Sequence, residues 1–247
     1  MIISSIYSKI KKTIKIVKWE KFALKYFNCP ICGFSILIRL DDNDLGVRCL
    51  TCGSSVITLS LVTVLKNVVP KLTEKVVYEL SSNGPLFNFL KYSSKLLVFS
   101  EYFDDVKPGN YKNGIQCQDV QELTYPDNSF DICTSTEVFE HVPDDRKAFS
   151  EMFRVLKPEG ALIFTVPLNQ EYKTIERAVI ENGKIQHILP PEYHGDKIRG
   201  WNKVLCFRNY GKDICQRISN QGFTLVEIVK PDLNWFGLSH FVVVAHK

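Results

Sequence analysis

The chain contains no run of about 18 apolar residues, so no segment reads as a membrane-spanning helix. Its start lacks a signal-peptide pattern, because lysines interrupt every apolar run there. A glycine-rich G-x-G-x-x-G stretch is absent, which argues against a bound dinucleotide and its diphosphate cradle. No internal repeat or low-complexity linker divides the chain. Net positive charge is confined to the first residues. Residues 1–28 hold seven lysines and one glutamate, so the net +4 of the whole chain leaves −2 on the remainder. That balance is not the basic surface of a usual nucleic-acid binder.

What is present is an ordinary globular composition, 45% hydrophobic and 23% charged over 247 residues. The length suits one medium domain with a small appendage. Residues 1–28 read as a basic amphipathic helix, with Ile3, Ile6, Tyr7, Ile10, Ile14, Val17 and Leu24 at helical spacing. Such a helix either packs on the main domain or lies against an anionic membrane surface or a partner.

Eight cysteines follow an uneven pattern. Cys117, Cys133, Cys206 and Cys215 are scattered and read as core thiols. Cys29-Pro-Ile-Cys32-Gly33 and Cys49-Leu-Thr-Cys52-Gly53 form two knuckles sixteen residues apart. Each knuckle can aim two thiolates at one ion, and two knuckles complete a tetrahedral S₄ site. Residues 29–56 therefore read as a zinc ribbon, with iron as the other ion that suits four thiolates. Paired metal knuckles also imply a reducing, cytoplasmic setting. A closed four-thiolate site has no open position for catalysis. The ribbon's expected task is to brace the main domain or to grip a substrate.

Residues 57–247 read as an α/β domain. Lys75 to Leu80, Leu96 to Ser100 and Gly114 to Gln118 read as its first three strands. The stretch from Ser129 to Val166 reads as strand, helix, strand. Pro143, Asp144 and Asp145 start that helix, and Pro158 and Gly160 stop it. Phe223 to Val229 and His240 to His246 read as the last two strands, and residues 105–113 and 168–207 as loops or lids. The fold class expected is a Rossmann-like, doubly wound, mainly parallel seven-stranded sheet with an antiparallel last strand.

In such sheets ligands sit beyond the carboxyl ends of the strands. Glu79, Glu101 and Asp119 end the first three strands, and Thr134, Ser135, Thr136, Glu137, Glu140 and His141 follow the fourth. A carboxylate at the end of the second strand can accept both hydroxyls of a ribose, which assigns that role to Glu101. The turn Ser81-Ser82-Asn83-Gly84 is small enough for a ligand to approach its backbone. Asp119 could accept from an adenine amino group.

The segments VYELSSNGP, FSEYFDDV, CQDVQELTYPDNSFDICTSTEVFEHVPD and RVLKPEGALIFTVP resemble class I S-adenosylmethionine-dependent methyltransferases of the broad type-11 group. The resemblance covers roughly 170 residues from about Lys75. It implies S-adenosylmethionine as cofactor. Glu79 and the Ser81, Ser82, Gly84 turn would lie against its methionine part, and Glu101 and Tyr102 against its ribose. Asp119 and Val120 would face the adenine, with Thr134 and Ser135 forming the floor. The chain departs from the family at the first motif, where Ser81, Asn83 and Pro85 stand in place of glycines.

His141, and His194 in the HILPPEYHGD segment, are the candidate catalytic residues, as general bases. Glu137-x-x-Glu140-His141 also resembles a divalent-metal motif of some quinone-biosynthesis and small-RNA methyltransferases. The function expected is methyl transfer to a small-molecule or glycan acceptor. An RNA- or protein-directed methyltransferase that holds its substrate with the ribbon is the first alternative. A methyltransferase-like binding protein without turnover is the second.

Overall fold

A computed structural model describes residues 18–196, 200–232 and 235–247. Residues 1–17 of the expected basic helix lie outside the described residues. The remainder of that segment is not helical. After a short 3₁₀ turn at Trp19–Lys21, β1 (Ala23–Cys29) pairs along its whole length with antiparallel β2 (Gly33–Arg39), and β3 (Val47–Cys49) completes a three-stranded sheet. The three-stranded sheet that carries the four cysteines thus begins at Ala23, ahead of the stretch expected to form the ribbon. Pairing Cys29 with Gly33 across the first knuckle requires an incoming strand, and the sequence before Cys29 supplies it.

The helix α1 (Val56–Val68) leaves the ribbon directly. Val56, Ile57, Leu59, Leu61, Val62, Val64 and Leu65 are all buried, so almost every face of it is apolar. Its first turn joins the ribbon core of Leu37, Val47 and Trp235, and its later turns pack on the main sheet. The helix is a shared wall between the two units.

The main sheet starts with β4 (Val76–Glu79), then α2 (Pro85–Ser93) and β5 (Leu96–Phe99). Two short pieces, β6 (Tyr111–Lys112) and β7 (Ile115–Gln116), form a separate hairpin. Next come β8 (Phe130–Thr136), α3 (Asp145–Val155) and β9 (Leu156–Thr165). Asp144 caps α3 by accepting from the Lys147 amide at 3.1 Å. Ala148, Phe149, Met152 and Val155 form its buried apolar face.

An insertion follows β9. It contains β10 (Ile175–Glu176), β11 (Ala178–Glu181), β12 (Lys184–His187), β13 (Tyr193–Asp196), β14 (Gly200–Leu205) and β15 (Arg208–Asn209). The expected loop is therefore built mostly of hairpins, β11 with β12 and β13 with β14. Asn182 and Gly183 both have positive φ and close the first hairpin as a tight turn. The chain ends with α4 (Ile214–Ser219), β16 (Leu225–Val229) and β17 (Val242–His246).

The main sheet has six strands in the order β16-β17-β9-β8-β4-β5. The four strands from β9 to β5 are parallel, and β17 is antiparallel to both of its neighbours. The seventh strand expected at Gly114 to Gln118 is absent from it. Positive φ at Asn113 and Gly114 turns the chain back on Tyr111–Lys112, which leaves a single parallel bridge between Cys117 and Glu101. Winding reverses between β4 and β8, so a crevice opens at their carboxyl ends.

A buried ionic knot fastens the insertion to the sheet. Asp145 at the start of α3 accepts from Arg217 at 2.9 Å on both carboxylate oxygens and from the Tyr210 hydroxyl at 3.0 Å. Arg208 is 3.7 Å from the same carboxylate and also donates to Glu176 and to the carbonyls of Phe139 and Val142. Removing one partner of a buried charge pair leaves the others uncompensated, which costs about 3–5 kcal/mol. Asp145→Ala is expected to lower the unfolding free energy by that order, measured as a shift of the urea midpoint at constant slope.

Candidate functional site

Two adjoining cavities of about 440 Å³ each occupy the crevice, within the usual range for small-ligand sites. They share Leu80, Glu101, Tyr102, Val138, His141 and Val204, so they form one cleft. One half is lined by Glu79, Ser81, Gly84 and Glu137 together with Leu45, Ile57 and Thr58 from the ribbon side. The other half is lined by Asp104, Asp119, Val120, Gln121 and the insertion residues Ile180 and Ile185. The described lining residues include five acids (Glu79, Glu101, Asp104, Asp119 and Glu137) and neither lysine nor arginine.

Glu79 is 2% exposed and accepts a hydrogen bond from the Thr134 hydroxyl. Burial pushes its carboxyl up to about 8, with the nearby Glu101 charge adding to the shift and Thr134 opposing it. At neutral pH it is therefore largely protonated. Gly84 has φ +101 and precedes Pro85 at the head of α2, a conformation that glycine tolerates.

Glu101 is held by the turn after β4. Its Oε1 accepts from the Ser82 amide at 2.7 Å, the Ser82 hydroxyl at 2.8 Å and the Ser81 hydroxyl at 3.3 Å. Ser82 itself does not border the cleft; it positions Glu101. Asp119 accepts from the amide and side chain of Gln121 at 2.9 and 3.1 Å. Val120 and the half-exposed Tyr102 border the cleft.

Thr134 and Ser135, the residues expected to form the cofactor floor, do not line the cleft. Both are fully buried in β8 and border neither cavity, because alternate residues of an inner strand face the two covering layers. Thr134 acts through Glu79, and Thr136 is the β8 residue at the cleft.

His141 lies in the cleft wall, and His194 packs against it edge to face at 4.9 Å between ring centroids. The His141 Nδ1 is 2.9 Å from the Leu205 carbonyl, which can only accept, so this nitrogen carries the proton. The His194 Nε2 lies 3.3 Å from both Cys206 Sγ and Glu192. Donor atoms of His141, His194 and Cys206 all fall within 4.8 Å of one another. Glu140 lies beneath, with Oε1 3.6 Å from His141 and 3.9 Å from His194. Burial and the Glu137 charge push its carboxyl well above the usual range, and both its oxygens lack a hydrogen bond. Burial likewise raises the Cys206 thiol to about 12. The Glu137-x-x-Glu140-His141 motif does not converge as three residues, because Glu137 turns to His240, 3.5 Å away. Cys206 and His240 were not singled out from sequence as site residues, and no spacing pattern marks them. The Asn182-Gly183 pair could have marked the hairpin that brings Ile180 and Ile185 to the cleft.

The four knuckle cysteines also converge. Cys29 and Cys52 are 3.8 Å apart at sulfur, and Cys32 and Cys49 are 3.6 Å apart. A tetrahedron with metal–sulfur bonds near 2.3 Å has edges of roughly 3.8 Å, so the donors fit one thiophilic ion. The Ile31 amide donates to Cys29, and Ser35 lies 3.1 Å from Cys49. Burial raises the Cys49 thiol, but amide and Ser35 hydrogen bonds outweigh it and bring it down to about 7. Cys49→Ser is expected to lower the zinc or iron content of purified protein by about one equivalent per chain; unchanged metal content would remove the site.

Residues 92–164 match the family described as methyltransferase domain. Ubiquinone biosynthesis O-methyltransferase of Coxiella burnetii is 33% identical over 79 residues, 32% of this chain and 33% of its own. Glycine/sarcosine/dimethylglycine N-methyltransferase of Actinopolyspora halophila is 42% identical over 48 residues, 19% of this chain and 8% of its own. The matched stretch spans about a third of the length of the first of these curated relatives. Among solved structures, an S-adenosylmethionine-dependent methyltransferase from Mesorhizobium loti aligns over 76% of this chain and 98% of its own, with TM-score 0.49 and 14% identity. A Burkholderia thailandensis 1,6-didemethyltoxoflavin-N1-methyltransferase with bound S-adenosylhomocysteine aligns over 75% of each chain, with TM-score 0.44 and 15% identity.

Proposed function

We propose that this chain transfers the methyl group of S-adenosylmethionine to a small-molecule or glycan acceptor that carries no strong negative charge. One observation carries the reading. The cleft lies at the winding reversal of the sheet, within and beside the matched stretch, and its described walls bear five acids and no basic side chain other than histidine. Such walls suit a ligand with a cationic centre and disfavour one that carries several phosphates. An RNA acceptor would call for the opposite charge.

The residues fit the cofactor. Glu101 would take the ribose hydroxyls through Oε2, since the turn bonds go to Oε1. Asp119 and Val120 would border the adenine, and Glu79 with the Ser81 to Gly84 turn the amino-acid end. S-Adenosylmethionine supplies an electrophilic methyl on sulfonium, so the protein mainly aligns the acceptor and excludes water. The His141 Nδ1–H bond to Leu205 leaves Nε2 as the proton-accepting nitrogen; it lies 3.6 Å from Glu140 Oε1, and the residue borders both halves of the cleft. His141 is the better placed base, and His194 orients it from the insertion. The four-cysteine site is read as zinc, in a bracing role.

A binding protein without turnover remains the second reading, favoured by Ser81, which stands where the family has a glycine and donates its hydroxyl to Glu101. Calorimetry is expected to give micromolar S-adenosylhomocysteine binding, with Glu101→Ala weakening it at least about tenfold, near 1.4 kcal/mol. No heat and no thermal shift at high micromolar ligand would end the cofactor reading. Incorporation of labelled methyl into small amines or phenols then separates enzyme from binder.

Glu79 gives a pH test. Its carboxyl titrates at about 8, so below that pH an incoming ammonium group must displace its proton. Affinity for S-adenosylhomocysteine is expected to rise as pH passes from 7 to 9, with proton release at pH 7. Glu79→Gln should flatten the Glu79 contribution to that rise, read by calorimetry in buffers of different ionisation enthalpy.

A further inference from the structure

The ribbon does more than sit beside the cleft. Its loop between β2 and β3 is shaped by Asn43, whose side-chain oxygen accepts from the amides of Leu45 and Gly46 at 3.0 and 2.7 Å. The loop leads straight into β3, which ends at the metal-site residue Cys49. Leu45 borders the cleft, and the neighbouring Asp44 points its Oδ2 at His240 Nδ1, 2.6 Å away. The His240 amide donates to Ser60 in α1 at 3.0 Å, which fixes the backbone of that loop against the shared helix. The other imidazole nitrogen lies 3.5 Å from Glu137 Oε1, an ion-pair distance without a formed hydrogen bond.

Glu137 itself is held in an unusual way. Its φ is +54, a left-handed conformation that costs a non-glycine residue energy, and its amide donates to Thr165 at 3.0 Å. Strain of this kind persists where the surroundings over-determine it. Here a side chain that borders the cleft is pinned from a loop 93 positions earlier through a residue 103 positions later.

We propose that His240 is a positioning residue that joins the four-cysteine site to the cleft, by holding the Asp44 loop on one side and the Glu137 carboxylate on the other. Metal occupancy then sets the shape of the cleft wall formed by Leu45 and Glu137. The inference rests on the reading of this cleft as the cofactor and acceptor site. Three acids surround the imidazole: Asp44 from the ribbon loop, Glu137 after β8 and, farther off, Glu140. Burial lowers the tendency of His240 to charge, but Asp44 and Glu137 outweigh it and bring it up to about 9, so it is an imidazolium at neutral pH.

The test combines titration and binding on full-length chain, with circular dichroism confirming that each sample is folded. Carbon-13 NMR of labelled histidine should show His240 titrating near 9 in metal-loaded protein, and at least about one unit lower in Asp44→Asn. Chelation of the metal should move the same resonance. S-Adenosylhomocysteine affinity should fall at least about fivefold when the wild type is stripped of metal, and by a similar factor in loaded His240→Gln or Asp44→Asn. Stripping His240→Gln should then add less than about twofold, the non-additivity expected of one shared path. Equal binding by loaded wild type and His240→Gln would overturn the proposal, as would fully additive losses. If loaded wild type binds no S-adenosylhomocysteine, the cofactor reading fails instead. The link then stands on the NMR alone, and a His240 resonance indifferent to metal overturns it.

Discussion

The parallel register between β4 and β8 is the constraint on which the cleft depends. It sets Glu79 opposite Thr134 at the carboxyl ends of adjacent strands, so one buried hydroxyl satisfies one buried carboxyl. A slip of one residue would send both side chains to the other face of the sheet. The parallel register of β4 with β5 puts Phe99 beside Glu79, and Glu101 follows two residues later. There the turn after β4 can reach it with the Ser82 amide. Glu79, Glu101 and the turn therefore form one unit. Moving Glu79 would leave the buried Thr134 hydroxyl without its carboxyl partner, and moving Glu101 would break its three bonds to the half-buried turn.

Much of this was legible in the sequence because it follows from short-range pattern. The apolar centres of Val76 to Glu79 and of Phe130 to Ser135 mark inner strands, and Asp144 with the Ala148, Phe149, Met152 face marks the helix between. The paired Cys-x-x-Cys knuckles fix four sulfurs by local turn geometry. Burial on one strand was less legible. Thr134 and Ser135 look like a polar floor in one dimension, yet the sheet is covered on both faces and both side chains are buried. The third strand failed for a local reason, since Asn113-Gly114 turns the chain into a hairpin before it can pair at length.

Contacts between distant segments were the least legible. His240, Asp44 and Glu137 come from three regions with no common motif, and only the packing of ribbon, α1 and the loop before β17 brings them together. Cys206 read as a core thiol, and it is one, but the β13–β14 hairpin also sets it against His194. The insertion was hard to read because β11 and β12 are short and largely exposed, so no buried face imposes period two. Lys184–His187 is exposed at all four residues.

The serine-rich turn changes how the acids at the strand ends should be understood. In a glycine-rich loop the backbone alone meets the ligand, and the acid after the second strand waits for it. Here Ser81 and Ser82 spend two hydroxyls and an amide on Glu101 Oε1. That bonding holds the carboxylate in place before any ligand arrives, at the expense of half its accepting capacity. Preorganisation of this kind removes an ordering cost from binding, while the loss of one oxygen removes a contact. With Glu79 largely protonated at neutral pH, the cleft is less negative than its count of acids suggests. Its charge is set by which carboxyls are ionised, and His240 holds a positive charge beside Glu137 while Glu140 stays neutral. The charge of the acidic cleft is thus graded, reduced at Glu79 and offset beside His240.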